Sequence, residues 1–226
     1  MAKQQAELNS KITNTQRQSF IGAAIGTLIE YYDYALFALF LPIIAPQFFP
    51  GDTAYDSLYH GYQILMIAMI ARPFGGAIFG HIGDFIGRRH ALLLSMYGIA
   101  VTTLIIGLTP TYHSIGVFAI MIIVIAKAIQ IACFGGEYNG AGIYVVEHAK
   151  QHQEGLVGSL LTAIISTGSL IASLLGILLT MDGMPDWSWR IAFFLGGLIG
   201  VFGVLYRKKM VEPANFKPAQ RSVHNL

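Results

Sequence analysis

The sequence predicts an all-α integral membrane protein with six transmembrane helices, and three observations support this prediction. The chain has 226 residues, of which 54% are hydrophobic and only 12% are charged, whereas a soluble domain has about 25% charged residues. The mean hydropathy is +0.59, and a soluble fold would have to expose this apolar surplus as large patches. Six stretches are also apolar enough to cross a bilayer, which takes about 20 residues per helix.

The six predicted spans follow one another along the chain and are rich in Leu, Ile, Ala, Phe and Gly. Residues 1–19 are polar, and the first apolar run is too long and too acidic for a cleaved signal peptide. They form a predicted cytoplasmic segment, which precedes a six-helix membrane domain of residues 20–206 and a cytoplasmic tail of residues 207–226. The spans cover residues 20–44, 62–82, 91–109, 115–146, 156–181 and 189–206.

Basic residues predict the orientation of these spans, because lysine and arginine collect on the cytoplasmic side of a membrane. They precede span 1, lie between spans 2 and 3 and between spans 4 and 5, and follow span 6. The other connections carry acidic residues. The basic residues are Lys3, Lys11, Arg17, Arg88, Arg89, Lys150, Arg207, Lys208, Lys209, Lys217 and Arg221. The acidic residues of the other connections are Asp52, Asp56, Asp182 and Asp186. We therefore predict a multi-pass protein of the cell membrane with both termini in the cytoplasm.

Glycines four residues apart recur in the predicted helices. Small residues let transmembrane helices approach closely, because lipid supplies no hydrophobic drive for their association. One interpretation is ordinary helix packing, and the other is that some glycines let helices rock or bend. The pairs are Gly22 and Gly26, Gly76 and Gly80, Gly136 and Gly140, and Gly196 and Gly200.

Ionisable residues inside the predicted spans point to a function. A charge at the bilayer centre costs about 2.5–3.5 kcal/mol on insertion scales. Such residues usually face a bundle interior or a wet cavity, where they pair with one another. The positions are Glu30, Asp33, Arg72, Lys127 and Glu137.

Glu30 and Asp33 lie in the run "IGTLIEYYDYALFALFLP" and, three residues apart, share a helix face. Tyr34 lies beside them. Two neighbouring carboxylates do not both ionise easily in a low-dielectric site, so one can take up a proton on one side of the membrane and release it on the other. We interpret them as the proton-coupling pair of a carrier. The alternative is a structural ion pair that joins helices 1, 2 and 4.

Arg72 precedes Pro73 in the second span. Its guanidinium stays charged and can bind a carboxylate with two parallel hydrogen bonds, so it is our candidate for binding an anionic or zwitterionic substrate. The alternative is a charge partner for Glu30 or Asp33. The two roles can alternate within one transport cycle.

The fourth span, "AKAIQIACFGGEYNGAGIYVVE", combines polar side chains with four glycines, which let a ligand or another backbone come near. We expect Gln130, Glu137 and Asn139 to line a site. For Glu137 a structural ion pair is an equal alternative. "EYNG" here and "EYYD" in the first span form a weak internal sequence repeat, as in carriers built from inverted three-helix repeats.

The segment "GHIGDFIGRRHALL", residues 80–93, resembles the loop between helices 2 and 3 of the major facilitator superfamily. The matching positions are Gly80, Asp84, Gly87, Arg88 and Arg89. The glycines allow a tight turn, and Asp84 can pair with Arg88 or approach a helix N-terminus. The resemblance implies that this loop gates the cytoplasmic side.

Further segments are similar to the metabolite:proton symporters of that superfamily: "IEYYDYALF", "ARPFGGAIFGHIGD", "GGEYNGAGIYVVE", "WSWRIAFFLGGLIG" and "YRKKMVEPANF". The resemblance covers about residues 18–216. It implies proton-coupled transport of a small organic acid or a zwitterionic osmolyte such as proline or betaine across the inner membrane, with the proton as coupling ion and no cofactor. Lys127 and Ile131 depart from the arginine and the glycine usual in the family.

The resemblance also implies a second half, because the family has twelve helices in two six-helix halves and this chain matches the N-terminal one. We expect a second six-helix unit or a homodimer partner. The alternative is a truncated, non-transporting remnant or an accessory membrane subunit.

A net charge of +2 does not suggest nucleic acid as a partner. His148 and His152 have zinc-like spacing without a convincing third ligand, so we expect neither a metal site nor an enzyme.

Overall fold

The structure, a computed structural model, describes residues 2–148 and 153–208. In those ranges the secondary structure is helical throughout, with short connections. The helices are α1 (Ala2–Phe48), α2 (Ala54–Met69), α3 (Ala71–Phe85), α4 (Arg88–Leu108), α5 (Tyr112–Ile115), α6 (Val117–His148), α7 (Glu154–Leu179) and α8 (Trp189–Arg207).

Six stretches of helix are long and apolar enough to cross a membrane, which confirms the predicted all-α fold with six spans. The second stretch consists of α2 and α3 together, and the other five are single helices. The stretches are Phe20–Phe48, Ala54–Phe85, Arg88–Leu108, Val117–Ile143, Gly155–Leu179 and Trp189–Arg207. Residues before Phe20 continue α1 as helix, while residues 209–226 of the predicted tail lie outside the described residues.

The second span is interrupted at Ile70, where α2 ends and α3 begins. Pro73 explains the break, because its ring lacks an N–H and clashes with the carbonyl of the residue four positions earlier, Met69. The predicted span of residues 62–82 is therefore correct as one crossing, but it consists of two helices. Arg72 lies in the first turn after this break.

The connections show how the helices begin and end. Thr53 and Asp56 form a reciprocal capping box at the start of α2, with Asp56 Oδ2 accepting from Thr53 N at 2.9 Å. Gly87 joins α3 to α4 with a φ of 135°, a backbone conformation that glycine adopts at little cost. The tight turn predicted at this position is confirmed.

Helix α1 packs against α6, α7 and α8 and contributes more buried apolar side chains than any other described helix. Aromatic rings fill the space between α1 and α8, where the ring centroids of Phe48 and Trp189 lie 6.0 Å apart and those of Trp189 and Phe193 lie 5.5 Å apart. We call this the Trp189 end of the bundle, and the opposite end, where α8 finishes, the Arg207 end. The hydroxyl of Tyr32 ties the two helices at the first turn of α8 by donating to Ala192 O at 2.9 Å.

Among the six candidate spans, the one formed by α2 and α3 and the one formed by α7 bury the smallest share of their residues within the chain. Phe74 on α3 is 64% exposed, and Leu170 on α7 is 59% exposed. These faces need an apolar cover, which is either lipid or another protein unit.

Candidate functional site

Buried polar clusters follow one another along α1. The charged side chains Glu30, Asp33, Lys127, Glu137 and Arg207 are each at most 2% exposed. Burying an ionised group is costly unless it is paired and hydrogen-bonded. The partners of each group therefore indicate what the site can do.

The Asp33 cluster joins α1, α4 and α6. Oδ2 of Asp33 accepts a hydrogen bond from Thr103 Oγ1 at 2.9 Å and another from Gln130 Nε2. Gln130 Nε2 also lies 2.9 Å from Thr103 Oγ1. Oδ1 of Asp33 has no hydrogen-bond partner among the described residues. Asp33 is thus held firmly through one of its two oxygens.

Lys127 reaches Asp33 indirectly. Its Nζ donates to Gln130 Oε1 at 2.6 Å and lies 4.0 Å from the ring centroid of Phe37, close enough for a cation–π attraction. Gln130, predicted as a substrate contact, therefore links the cation to the carboxylate. This arrangement suits a site that balances a buried positive and a buried negative charge.

Glu30 lies in a different environment from Asp33. Its Oε1 is 3.7 Å from Arg72 Nη2, an ion pair without a close hydrogen bond, and the Arg72 side chain is 37% exposed. Oε2 of Glu30 is buried without a hydrogen-bond partner in the described part of the chain. The predicted ion pair between α1 and α3 is present, but Glu30 and Asp33 each bind separate partners.

Glu137 forms the third cluster, at the Arg207 end. It makes a fully buried ion pair with Arg207, whose Nη1 lies 2.9 Å from Glu137 Oε2. Ser95 Oγ donates to the same oxygen at 2.7 Å. Arg207 also donates from Nε to Gly22 O at 2.9 Å and from Nη1 to Leu92 O at 2.8 Å. The cluster ties α1, α4, α6 and α8 together.

Arg207 was predicted to follow the last span as a cytoplasmic flanking residue; the structure places it as the last residue of α8, with its side chain fully buried between helices. The sequence signal is ambiguous: an arginine at the end of an apolar helix, beside Lys208 and Lys209, has the pattern of a flanking cation. Ser95 and Thr103 were not predicted at all. Uncharged hydroxyl residues are common in transmembrane helices, so nothing in the sequence distinguishes these two.

The predicted glycine pairs have packing roles at several positions. A Cβ atom at Gly26 would collide with the guanidinium of Arg207 and the carboxylate of Glu137, so this glycine makes room for a buried ion pair. A Cβ at Gly196 would come 2.9 Å from the Tyr32 ring, and one at Gly200 would come 2.7 Å from Ala100 Cβ. Gly80 differs, because an added Cβ there meets no described atom within 4 Å.

The loop between α3 and α4 also lies at the Arg207 end. Arg88 Nη1 and Asp84 Oδ1 form an ion pair at 2.9 Å, which confirms the predicted contact. Arg89 Nη2 donates to Lys208 O at 2.5 Å and so connects the start of α4 to the end of α8. Of the other predicted site residues, Tyr34 is 44% exposed, and the side chain of Asn139 lies outside the described residues.

A bundle of six helices long and apolar enough to span a membrane, with paired charges buried between them, is typical of membrane proteins that carry ions or solutes. Residues 20–213 match the family described as sugar (and other) transporter. The chain therefore belongs to this family of the major facilitator superfamily, and it is not an enzyme.

Two curated relatives are transporters by name. The chain is 31% identical over 214 residues to the inner membrane metabolite transport protein YhjE of Escherichia coli (strain K12), covering 92% of this chain and 49% of that protein. It is 29% identical over 205 residues to the proline/betaine transporter of the same organism, covering 89% and 41%. The chain thus spans about half the length of the curated relatives it matches.

The fold is also that of a solved transporter. The proton:xylose symporter XylE, a major facilitator superfamily protein solved with 6-bromo-6-deoxy-D-glucose, matches with a TM-score of 0.74 at 19% sequence identity. The match covers 89% of this chain and 46% of the symporter. At this identity the likeness concerns the fold alone, and it supports the assignment of the six helices to about half of a full-length transporter fold.

Proposed function

We propose that this chain forms one six-helix half of a proton-coupled secondary transporter in the cell membrane, with both termini in the cytoplasm. The proposed substrate is a small organic acid or a zwitterionic osmolyte. The observation that carries the proposal is the Glu30–Arg72 pair: Nη2 of Arg72, whose side chain is 37% exposed, lies 3.7 Å from Oε1 of the buried Glu30.

Arg72 is the proposed binding residue for the substrate carboxylate. A guanidinium presents several donors in a planar fork that matches a carboxylate, and such charge-assisted pairs are about twice as strong as neutral hydrogen bonds. Its 3.7 Å separation from Glu30 makes their mutual contact weaker than a direct hydrogen bond. A carboxylate ligand can therefore compete for Arg72. Proline, betaine and organic acids all carry this group, in keeping with the name of one relative.

Competition for Arg72 supplies a mechanism of proton coupling. When the substrate carboxylate binds Arg72, Glu30 loses its cation while remaining 2% exposed. An unpaired buried carboxylate is strongly unfavourable, so Glu30 takes up a proton. Asp33, held against Gln130 and near Lys127, is the second proton-coupling residue. Release of the substrate returns Arg72 to Glu30 and expels the proton.

The other predicted substrate contacts are proposed to form in other conformations of the transport cycle. Gln130 and Glu137 bind protein partners here, so they contact a substrate only when those hydrogen bonds break. Tyr34 and Asn139 are proposed as further substrate contacts. The loop residues Gly80, Asp84, Gly87, Arg88 and Arg89 are proposed to control opening at the Arg207 end.

A second six-helix unit or a second copy of this chain is the proposed opposite wall of the transport path. Helices α2, α3 and α7 bury few of their residues within the chain, and α3 also carries Arg72. A charged side chain that is 37% exposed at membrane depth is unfavourable against lipid, so this face suits a protein-lined, wet path.

The uptake of labelled solutes into liposomes tests the proposed substrate site. Proline, betaine, citrate and 2-oxoglutarate are compared with and without an acidic exterior, using the chain alone and then with a candidate second half. Arg72→Lys keeps the charge but loses the fork, and we expect at least about a tenfold loss of uptake, equivalent to roughly 1.4 kcal/mol.

Asp56→Asn provides a matched control, because Asp56 is an exposed capping residue of α2 rather than a site residue. Its uptake should remain within about twofold of the unaltered chain. Equal uptake by Arg72→Lys and Asp56→Asn would contradict the role of Arg72. A folded chain that takes up no solute in either arrangement would favour the remnant or accessory-subunit alternative.

A further inference from the structure

Three buried side-chain oxygens on α1 have no hydrogen-bond partner among the residues that the structure describes. They are Thr27 Oγ1, Glu30 Oε2 and Asp33 Oδ1. The three side chains are 0%, 2% and 0% exposed, respectively. An unsatisfied buried oxygen costs about 1–3 kcal/mol, so a run of three calls for an additional partner.

The spacing of these residues places the oxygens in a row. Residues three apart on a helix are neighbours, with Cβ atoms about 5–6 Å from each other. Thr27, Glu30 and Asp33 are separated by three and then three positions, so the row extends about 9 Å along the helix axis. A water molecule that bridges two oxygens with hydrogen bonds of roughly 2.8 Å each spans the distance between neighbours.

Different helices bind the two carboxylates of this row. Oδ2 of Asp33 binds Thr103 and Gln130, while Oε1 of Glu30 faces Arg72. In each carboxylate, one oxygen is therefore engaged with another helix and the other is left for an additional partner. Buried water molecules characteristically occupy such positions, each making about three hydrogen bonds to otherwise unsatisfied polar groups.

We propose that ordered water molecules form a file along α1, from Thr27 Oγ1 past Glu30 Oε2 to Asp33 Oδ1, and that this file carries the proton between the two carboxylates. The inference rests on the proposed function, which makes Glu30 and Asp33 the proton-coupling residues. It adds the route between them and assigns a role to Thr27, whose hydroxyl holds the end of the file beside Glu30.

The proton step is balanced in this arrangement. Protonated Glu30 gives the proton on Oε2 to the oxygen of the bridging water, and the same water gives one of its own protons to Asp33 Oδ1. Glu30 ends ionised, Asp33 ends protonated and the water is unchanged. Arg72 stabilises ionised Glu30, and Lys127, through Gln130, stabilises ionised Asp33. Glu137 and Arg207 also act electrostatically on Glu30, with opposite signs.

Thr27→Val tests the file, because valine keeps the shape of threonine and lacks the hydroxyl. The readout is infrared spectroscopy of the purified chain in liposomes that contain a solute supporting uptake, the state in which the proposed mechanism protonates Glu30: the protonated carboxyl band that disappears in Glu30→Gln is followed during exchange into D2O. We expect exchange of this band to be at least about tenfold slower in Thr27→Val, the rate factor that corresponds to roughly 1.4 kcal/mol. Thr27→Ser, which restores the hydroxyl, should exchange like the unaltered chain.

Thr102→Val provides the matched control. Thr102 is also buried in a membrane helix, but its Oγ1 lies 2.7 Å from Gly98 O and 3.0 Å from Ile99 O, so its hydroxyl already has backbone partners. Exchange of the Glu30 band in this variant should match the unaltered chain. Equal exchange rates in Thr27→Val and Thr102→Val would overturn the file, as would the lack of any band that disappears in Glu30→Gln.

Failure of the file and failure of the proposed function give different results. Proton-dependent uptake that is lost in Glu30→Gln, combined with fast exchange in Thr27→Val, would overturn the file alone. Uptake that stays proton-dependent in Glu30→Gln would remove the proposed coupling role. The exchange is measured in potassium and in sodium buffers, and exchange blocked by sodium alone would identify a cation site in place of the water file.

Discussion

Arg207 joins several helices although it has no exposed surface. Its guanidinium binds Gly22 O on α1, Leu92 O on α4 and the carboxylate of Glu137 on α6. A lysine in this place would keep the charge but could not reach three acceptors at fixed angles. The residue therefore contributes through the geometry of its donors as well as through its charge.

Removing only one member of this ion pair should be more damaging than removing both. Arg207→Met leaves Glu137 buried without a cation, and we expect the free energy of unfolding to fall by about 3–5 kcal/mol. The double variant Arg207→Met, Glu137→Leu removes both buried charges and should recover most of that loss. Thermal unfolding in detergent of the unaltered chain, the two single variants and the double variant measures these differences.

The coupling between the two substitutions decides whether this ion pair behaves as a unit. Ser95 provides an internal check, because its Oγ also lies 3.2 Å from Leu92 O and keeps a partner in the double variant. Strictly additive losses from Arg207→Met and Glu137→Leu would show that the buried pair is not the dominant contact at this end.

At the scale of single residues, the sequence identifies charges better than it identifies their partners. Asp33, Glu30 and Glu137 stand out because carboxylates are rare in apolar runs. Their separate environments depend on which side chains of other helices face them, such as Thr103 and Arg207. The spacing within α1 carries no information about those neighbours.

At the scale of helices, the contact between α3 and α6 is unusually close. A Cβ atom at Gly75 would collide with Ala132 O, and one at Gly135 would collide with Arg72 O. Backbones approach this closely only where both helices present glycine or alanine. The contact fixes the backbone of Arg72 against α6, the helix that also carries Lys127 and Gln130.

Gly135→Ala should therefore disturb the site as well as the packing. Overpacking of this kind costs about 1–3 kcal/mol, and the backbone of Arg72 must move to accommodate the methyl group. Gly142→Ala is the matched control on the same helix, because its Cβ meets no described atom within 4 Å, and alanine favours a helix by up to about 1 kcal/mol over glycine.

Thermal unfolding of the two variants measures this difference. We expect Gly135→Ala to unfold at a lower temperature than the unaltered chain and Gly142→Ala to unfold at the same or a higher temperature. Equal stability of the two variants would contradict the close contact of α3 and α6.

Element boundaries were predicted well where apolar runs have clear ends. The sixth predicted span of residues 189–206 corresponds to the observed Trp189–Arg207. The break in the second span was not predicted although Pro73 was noted, because transmembrane helices also accommodate proline by bending. The short helix α5 was not predicted, because its connection has no periodic spacing of apolar residues.

At the scale of the whole molecule, the described helices bury their charges along one central helix and leave α2, α3 and α7 largely uncovered. The number of spans followed from composition and length, because a bilayer imposes both. The arrangement of helices around α1 depends on tertiary contacts, and here the resemblance to known transporters provided what periodicity could not.

The uncovered side of α3 explains why the proposed coupling requires a partner surface. The Arg72 side chain on α3 is 37% exposed beside the buried Glu30 of α1, so a substrate bound to Arg72 needs a second wall to exclude bulk water. A desolvated site strengthens the competition between substrate and Glu30 for one guanidinium. We therefore expect coupling to be tightest when a second six-helix unit or a second copy of the chain is present.

Substrate-driven proton movement is the direct test of proton coupling through Glu30. Liposomes holding the chain, alone and with a candidate second half, contain a pH indicator and receive whichever solute supports uptake, with no imposed pH gradient. We expect internal acidification as the solute enters, and loss of this signal in Glu30→Gln but not in Asp56→Asn. Solute entry with unchanged internal acidification in Glu30→Gln would contradict this coupling.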